Sequence, residues 1–263
     1  MQSYDTIAGF YDWDMGQNNS GEDVAFYVRE CRAAAGPVLE LGCGTGRITV
    51  PLVQAGLRVV AADSSLPMLR RLQERRGRML SPAESGRLQI VAMDMRRIGF
   101  AERFSRILCP FSLLTYLVKE KERRIFLQEV KEHLAPGGRM LLDVFTPDEE
   151  LHALPDDRCV LDYRREIPGG WVLERRKQIR KKNRPDQVHS IFRFYRFYRP
   201  DGILEKEIRT EEDIRYFRRA DLHAWLESQG FLVAAEYGDF VWGPPVPSSK
   251  VIVMACAVGG TSE

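Results

Sequence analysis

Residues 38–47 read VLELGCGTGR. Four residues of strand character run directly into Gly42, Gly44 and Gly46, and a helical pattern, ITVPLVQA, follows at 48–55. Glycines in that position let the backbone turn tightly and approach a ligand closely, with amides and a helix N-terminus facing it. A dinucleotide fingerprint would need G-x-G-x-x-G, but the spacing is G-x-G-x-G and position 47 is Arg, which weakens a nicotinamide or flavin reading.

The surroundings extend the same alternation. Upstream, Val24, Tyr27, Val28 and Cys31 fall on one helix face behind Ser20, with Gly36-Pro37 as the stop. Downstream, RVVAAD, LQIVAM, FSRILC and RMLLDVF read as strands two to five. Between them lie the helices SLPMLRRLQERR, begun by Ser65 and ended by Gly77, and KEKERRIFLQEVKEHL. Strands alternating with helices imply a parallel sheet with helices on both faces. Beyond Phe145 the pattern changes: PGG (168–170), RPDQ (184–187) and PDG (200–202) separate strand-like runs, as in an antiparallel meander. RADLHAWLESQG returns to helix, and FLVAAEY and KVIVMACAV close the chain as two strands.

Composition narrows the class. With 44% apolar and 29% charged residues over 263, the expectation is a soluble globular protein. No apolar run approaches the length of a membrane helix, and MQSYDTIAGF lacks the basic start and apolar core of a signal peptide. Five scattered cysteines without a CxxC pair point to a reducing cytoplasm and away from a disulfide framework or zinc site. Net charge is +2, but residues 161–210 hold 14 Lys/Arg against 7 Asp/Glu, which leaves the remainder at −5. That basic island is either a solvated surface or the footprint of an anionic partner.

Three features join the glycine loop. Asp63 ends the second strand, where a carboxylate can accept hydrogen bonds from two ribose hydroxyls. Asp94 and Met95 end the third, and LAPGG precedes the fifth. Together the motifs resemble the class I S-adenosylmethionine-dependent methyltransferases. The resemblance implies an α/β fold: a Rossmann-like seven-stranded sheet with helices on both faces and an inserted antiparallel β-meander cap. The expected division is 1–145 for the N-terminal segment and cofactor part, 146–214 for the substrate cap, and 215–263 for the closing helix and strands. The implied cofactor is S-adenosyl-L-methionine, with no metal. Glu40 and the Gly42–Gly46 backbone, including Cys43 and Gly44, would hold the methionine moiety and Asp63 the ribose. Ser64 and Met68 would lie by the adenosine, and Asp94 and Met95 by the adenine. Cys109 and Pro110 would pass close to the sulfonium, with Tyr4 and Tyr11 folding over the cofactor.

The stretch after strand four separates subclasses. Cys109-Pro110-Phe111-Ser112 lacks the tetrad of amino-directed DNA methyltransferases and the carboxylate of magnesium-dependent catechol enzymes. FSLLTYL is similar instead to the bacterial small-molecule group that includes amino-sugar N,N-dimethyltransferases, which makes Ser112 and Tyr116 the implied catalytic pair. Tyr116 stands where that group has His, so no imidazole base is implied. The four histidines (133, 152, 189 and 223) have no metal or triad spacing. Orientation and desolvation supply much of the acceleration in such a displacement, and a neutral amine needs no strong base. An amine acceptor is therefore expected, with a hydroxyl acceptor, an RNA-directed enzyme and a binding-only protein as alternatives. The expected partner is a small-molecule methyl acceptor, without nucleic acid or membrane, acted on by a monomer or homodimer.

One stretch, IFRFYRFYRP (191–200), sets arginines at every third position among aromatics. By alternation Phe192, Phe194, Arg196 and Tyr198 share one face, and Arg193, Tyr195, Phe197 and Arg199 the other. It is expected to be the second strand of the meander and a lid over the acceptor. Arg193, Arg196, Tyr198 and Arg215 are its candidate substrate contacts, and the local charge suggests an anionic, nucleotide-linked-sugar-like acceptor. Stacking of aromatics and arginines on RNA bases is the minority reading.

Overall fold

The structure, a computed structural model, describes residues 2–15, 21–146, 155–156, 158–183 and 186–259. Among them the strands form two sheets. The larger has the order β10-β11-β5-β4-β1-β2-β3. Its members in chain order are β1 (Val38–Leu41), β2 (Val59–Asp63), β3 (Leu88–Ala92), β4 (Phe104–Cys109), β5 (Leu134–Phe145), β10 (Phe231–Tyr237) and β11 (Val251–Val258). β1 to β5 run parallel, and β11 pairs antiparallel with both β5 and β10. β1 and β4 are buried at every position, because helices cover both faces and no side chain points to water.

The first face is covered by α7 (Glu120–His133) and α8 (Arg219–Ser228), whose Phe126, Val130, Leu222 and Leu226 share one apolar cluster with residues of β4, β5, β10 and β11, while α6 (Pro82–Ser85) is a single turn ahead of β3. The opposite face is covered by α3 (Glu22–Arg32), α4 (Thr49–Gln54) and α5 (Leu66–Met79), through Phe26, Tyr27, Leu52 and Leu72. The start of α5 follows the local chemistry: the Ser65 hydroxyl accepts the Met68 N–H, with a proline in the first turn. Gly77 does not end α5, which continues to Met79 because packing and an unbroken hydrogen-bond ladder outweigh one glycine's propensity of about 1 kcal/mol. Ser20, the expected cap of α3, lies outside the described residues, and Gly21 occupies the cap position.

The smaller sheet is antiparallel, in the order β6 (Cys159–Ile167), β7 (Trp171–Asn183), β8 (Val188–Tyr198), β9 (Leu204–Arg215). The aromatic strand is thus the third of four rather than the second, since Cys159–Ile167 forms a strand of its own ahead of the PGG turn. Two short helices, α1 (Gln2–Ile7) and α2 (Tyr11–Met15), lie between the sheets. Ile7 of α1 and, in the turn that joins the two helices, Ala8 and Phe10 form a third apolar cluster with Met68 of α5 and with Leu173 and Tyr195 of the cap. Phe10 meets the rings of Tyr195 and Phe197 edge-on at 5.1 and 5.0 Å.

Candidate active site

The order of the larger sheet reverses direction at β1, with β2 on one side and β4 on the other, which opens a crevice at the strands' C-terminal ends. A cavity fills that crevice. Its floor is Leu41, Gly42 and Gly44 after β1, Asp63, Ser64 and Ser65 after β2, and Pro110 and Phe111 after β4. Met68, Met93, Met95 and Leu113 give it apolar walls, and Tyr4 and Tyr11 close it from above.

The backbone of the loop is shaped for this. Gly42, Gly44 and Gly46 all have positive φ, of 66°, 55° and 84°. A Cβ on Gly42 would come within 2.7 Å of the Leu113 side chain, and one on Gly46 would overlap Leu72. Gly46 therefore serves helix packing, away from the cavity, whereas Gly42 and Gly44 line it. Asp63 ties the loop down: Oδ2 accepts the Gly44 N–H and Oδ1 the Ser65 N–H, each at 2.8 Å. The Ser64 N–H also faces the carboxylate, and of its about four lone-pair positions those not taken by the backbone are open to a hydroxyl in the cavity. Burial holds the Asp63 carboxyl above its ordinary range. A carboxylate with open acceptor positions beside methionine and leucine walls fits a nucleoside such as that of S-adenosylmethionine.

Several sequence candidates sit elsewhere. Glu40 is 2% exposed and accepts the Thr49 hydroxyl beneath the loop; desolvation pushes its carboxyl up to about 8. It lies outside the cavity lining because β1 turns alternate side chains away from the crevice. Cys43 and Cys109 are buried in the core rather than in the lining. Asp94 points outward to the Arg96 guanidinium, which hydrogen-bonds it and holds its carboxyl below the usual range, while Met93 and Met95 on either side face inward. Period-two alternation exchanges the acid for its neighbours.

A second cavity lies between β5, the N-terminal helices and the inner face of the cap, with a volume of about 1120 Å³ counted out to its mouth. It shares Tyr4, Tyr11, Phe111 and Tyr116 with the first, so these four side chains form a common wall. The Tyr4 and Tyr116 hydroxyls are hydrogen-bonded at 2.5 Å. Desolvation pushes the Tyr116 phenol up to about 12 and raises Tyr4 and Tyr11 as well, so all three are neutral hydrogen-bonding groups at pH 7.

The cap contributes the opposite face of β8 from Arg196. Arg193 and Tyr195 line the second cavity, with Glu212 and Ile214 of β9 beside them. Arg196 and Tyr198 point outward: Arg196 bonds Glu207 at 2.6 Å, and Tyr198 lies against Arg164. Arg215 packs against Phe217, out of the cavity, while its neighbours Ile214 and Tyr216 face in. The period-three arginines fall alternately on the two faces, and each meets acids: Arg193 with Glu212, Arg196 with Glu207, Arg199 with Asp201 and Glu205. The remaining cations of the cavity are paired too, Arg175 with Asp14 and Asp162, and Lys177 with Asp162. Among the described residues, three cations against three carboxylates leave the lining near neutral.

Asp14 and Asp143 escaped the sequence reading. Asp14, 1% exposed, bonds Arg175 at 2.7 Å and accepts the Tyr195 hydroxyl at 3.2 Å, fastening α2 to the cap. Asp143 in β5 accepts the Tyr27 hydroxyl at 2.6 Å and the N–H groups of Phe111 and Ser112 at 2.8 and 2.9 Å. A lone acid in the apolar run RMLLDVF was the available signal. Phe111 and Ser112 both have left-handed φ, 58° and 55°, which costs non-glycine residues about 1–3 kcal/mol each. Hydrogen bonds to a charged acceptor contribute about 1.5–3 kcal/mol each, enough to hold the turn. Burial pushes the Asp143 carboxyl up to about 6, so it is ionised at neutral pH. Among the described residues no cluster of His, Cys, Asp and Glu has metal-binding geometry, and no helix is long and apolar enough to cross a membrane.

Residues 38–138 match the family model described as "Methyltransferase domain". The fold extends the likeness over the whole chain: the CcbJ methyltransferase of Streptomyces caelestis superposes with a TM-score of 0.74 at 23% identity, over 92% of this chain and 91% of that one. Residues 38–138 are thus similar to a methyltransferase domain, and the fold is that of solved S-adenosylmethionine-dependent methyltransferases. In fold the chain is also similar to a glycopeptide N-methyltransferase, MtfA, solved with S-adenosyl-L-methionine (TM-score 0.60, 20% identity, 91% of this chain and 94% of that one). It is 32% identical over 158 residues to a Streptomyces cypemycin N-terminal methyltransferase, covering 59% of this chain and 61% of the relative. The chain thus spans about three-fifths of the length of that curated relative.

Proposed function

We propose that the protein methylates an amine nitrogen of a small polar molecule, using S-adenosylmethionine as the donor. The observation that carries the reading is the common wall: two cavities, one with a diol-accepting carboxylate and one with polar walls, meet at Tyr4, Tyr11, Phe111 and Tyr116. When bound, the cofactor supplies a methyl group on a sulfonium, ready for displacement by a nucleophile. Asp63 and the Gly42–Gly44 backbone would hold the nucleoside end, and Met68, Met93 and Met95 would flank the purine. Pro110 and Phe111 would border the methyl group, and the tyrosines would exclude water.

Tyr116 would orient the acceptor by hydrogen bonding. With its phenol near 12 it stays protonated and can accept from, or donate to, an amine without acting as a base. The carboxylates of the acceptor cavity are engaged by Arg175, Lys177 and Arg193. An acceptor that attacks as the free amine needs no stronger base than this, whereas an alcohol would need one. The same pairing engages each cation of the lining among the described residues, so the acceptor we favour is neutral or zwitterionic rather than nucleotide-linked. That cypemycin and glycopeptide enzymes among the similar proteins are named N-methyltransferases or N-terminal methyltransferases supports nitrogen as the target. Five free cysteines are in keeping with a cytoplasmic protein.

The test is S-adenosylhomocysteine formation with a panel of amino acids, short peptides and amino sugars, beside matched alcohols. Amines that turn over while their alcohol analogues do not are the expected result. Turnover of alcohols alone would overturn it.

A further inference from the structure

The turn after β4 is where the two cavities meet, and it is built without a glycine. Pro110 and Phe111 line the cofactor cavity, and Phe111 and Ser112 line the other. Two successive left-handed residues persist only where the surroundings over-determine them. Here the constraint comes from one side chain on the neighbouring strand. Both oxygens of Asp143 face the turn, Oδ1 accepting the Phe111 N–H and Oδ2 the Ser112 N–H. Tyr27 of α3 donates to Oδ1, which steadies the carboxylate from the opposite side. The turn answers through Ser112, whose Oγ accepts the Phe145 N–H at 2.7 Å. A glycine would adopt this backbone unaided, but it would remove the Phe111 ring, which stacks edge-on against Phe145 at 5.3 Å and forms part of the common wall.

We propose that Asp143 is a positioning residue: its carboxylate holds the strained Phe111–Ser112 turn in the one shape that closes the cofactor cavity and sets the wall between donor and acceptor. A carboxylate is required because three donors converge on it, two of them backbone N–H groups that cannot turn away. Asparagine has the same outline but one acceptor oxygen, and its amide would face the N–H of Ser112 or Phe111.

This inference rests on the methyltransferase reading of the first cavity, and the wild-type protein tests that reading separately. Calorimetry with S-adenosylhomocysteine at pH 8, where Asp143 is ionised, should detect binding; if wild type does not bind, the reading itself fails. Given wild-type binding, Asp143→Asn should weaken it at least tenfold. Adding Ser112→Gly to that variant should bring affinity back to within threefold of wild type, because glycine takes the left-handed conformation without the clamp. Two results overturn the inference: Asp143→Asn binding within twofold of wild type, whatever its melting temperature, or the glycine failing to restore affinity. If Asp143→Asn alone is recovered unfolded, the double variant decides. Folded and binding, it supports the clamp; unfolded, or folded without binding, it refutes it.

Discussion

Asp63→Asn tests the diol contact. The Asp63 oxygens accept the Gly44 and Ser65 N–H groups at 2.8 Å each, with the Ser64 N–H also facing the carboxylate, and its remaining acceptor capacity lies in the cavity lining. Asparagine preserves the shape and one oxygen, and removes the charge together with one acceptor. Losing one hydrogen bond to a charged group costs about 1.5–3 kcal/mol, and 1.4 kcal/mol is tenfold in affinity. The dissociation constant for S-adenosylhomocysteine, measured by calorimetry, should rise roughly 10- to 100-fold. Stability should fall somewhat, because the asparagine NH2 would face the N–H of Gly44 or Ser65, although a neutral amide is spared the cost of a buried charge. Alanine is a poorer probe, since it frees both N–H groups at once. Affinity unchanged within twofold in the folded variant would refute the assignment of Asp63 to the diol.

Arg193→Ala should destabilise the fold by about 3 kcal/mol, because it strands the buried Glu212, whereas Arg196→Ala breaks an exposed pair and should cost under about 1 kcal/mol; denaturant titration compares them. Tyr116→Phe should slow methyl transfer to an amine found in the panel by about tenfold or more, the loss of one hydrogen bond to the acceptor, while leaving S-adenosylhomocysteine affinity within twofold; equal rates would remove Tyr116 from the reaction. Glu40 gives a pH signature. Its folded-state carboxyl is raised to about 8, so the folded protein binds the proton more tightly than the unfolded chain. Its contribution is therefore present at low pH and lost as pH rises from the ordinary carboxylate range through 8. Glu40→Gln, which imitates the protonated acid, should gain melting temperature over wild type at pH 8 and lose that gain near pH 5. A constant difference across that range would contradict it.

What the sequence by itself determined about this protein is local in origin. Alternating strand and helix periods, Ser65 as a cap, and three glycines between VLEL and ITVPLVQA specify a parallel sheet with a ligand loop at its switch point, because each feature acts over a few residues. Asp63 was legible for the same reason: an acid ending a buried strand beside that loop has little freedom to be elsewhere. The PGG and PDG turns likewise mark the cap's hairpins, since positive φ at Gly169, Gly170 and Gly202 is a local need. Which side chains face the cavities was decided only by tertiary packing. The two faces of IFRFYRFYRP are alike in composition, and it is Phe10, between the N-terminal helices and docking on Tyr195 and Phe197, that turns Arg193 inward and Arg196 out. The basic island is neutralised by acids from strands β6, β7 and β9 and from α2, partners up to 161 residues apart, as in Arg175 and Asp14. Asp143 reads in sequence as a stray charge in an apolar strand. Its role exists only because β5 lies beside β4 in register, which brings one carboxylate under the two strained residues that separate the cavities.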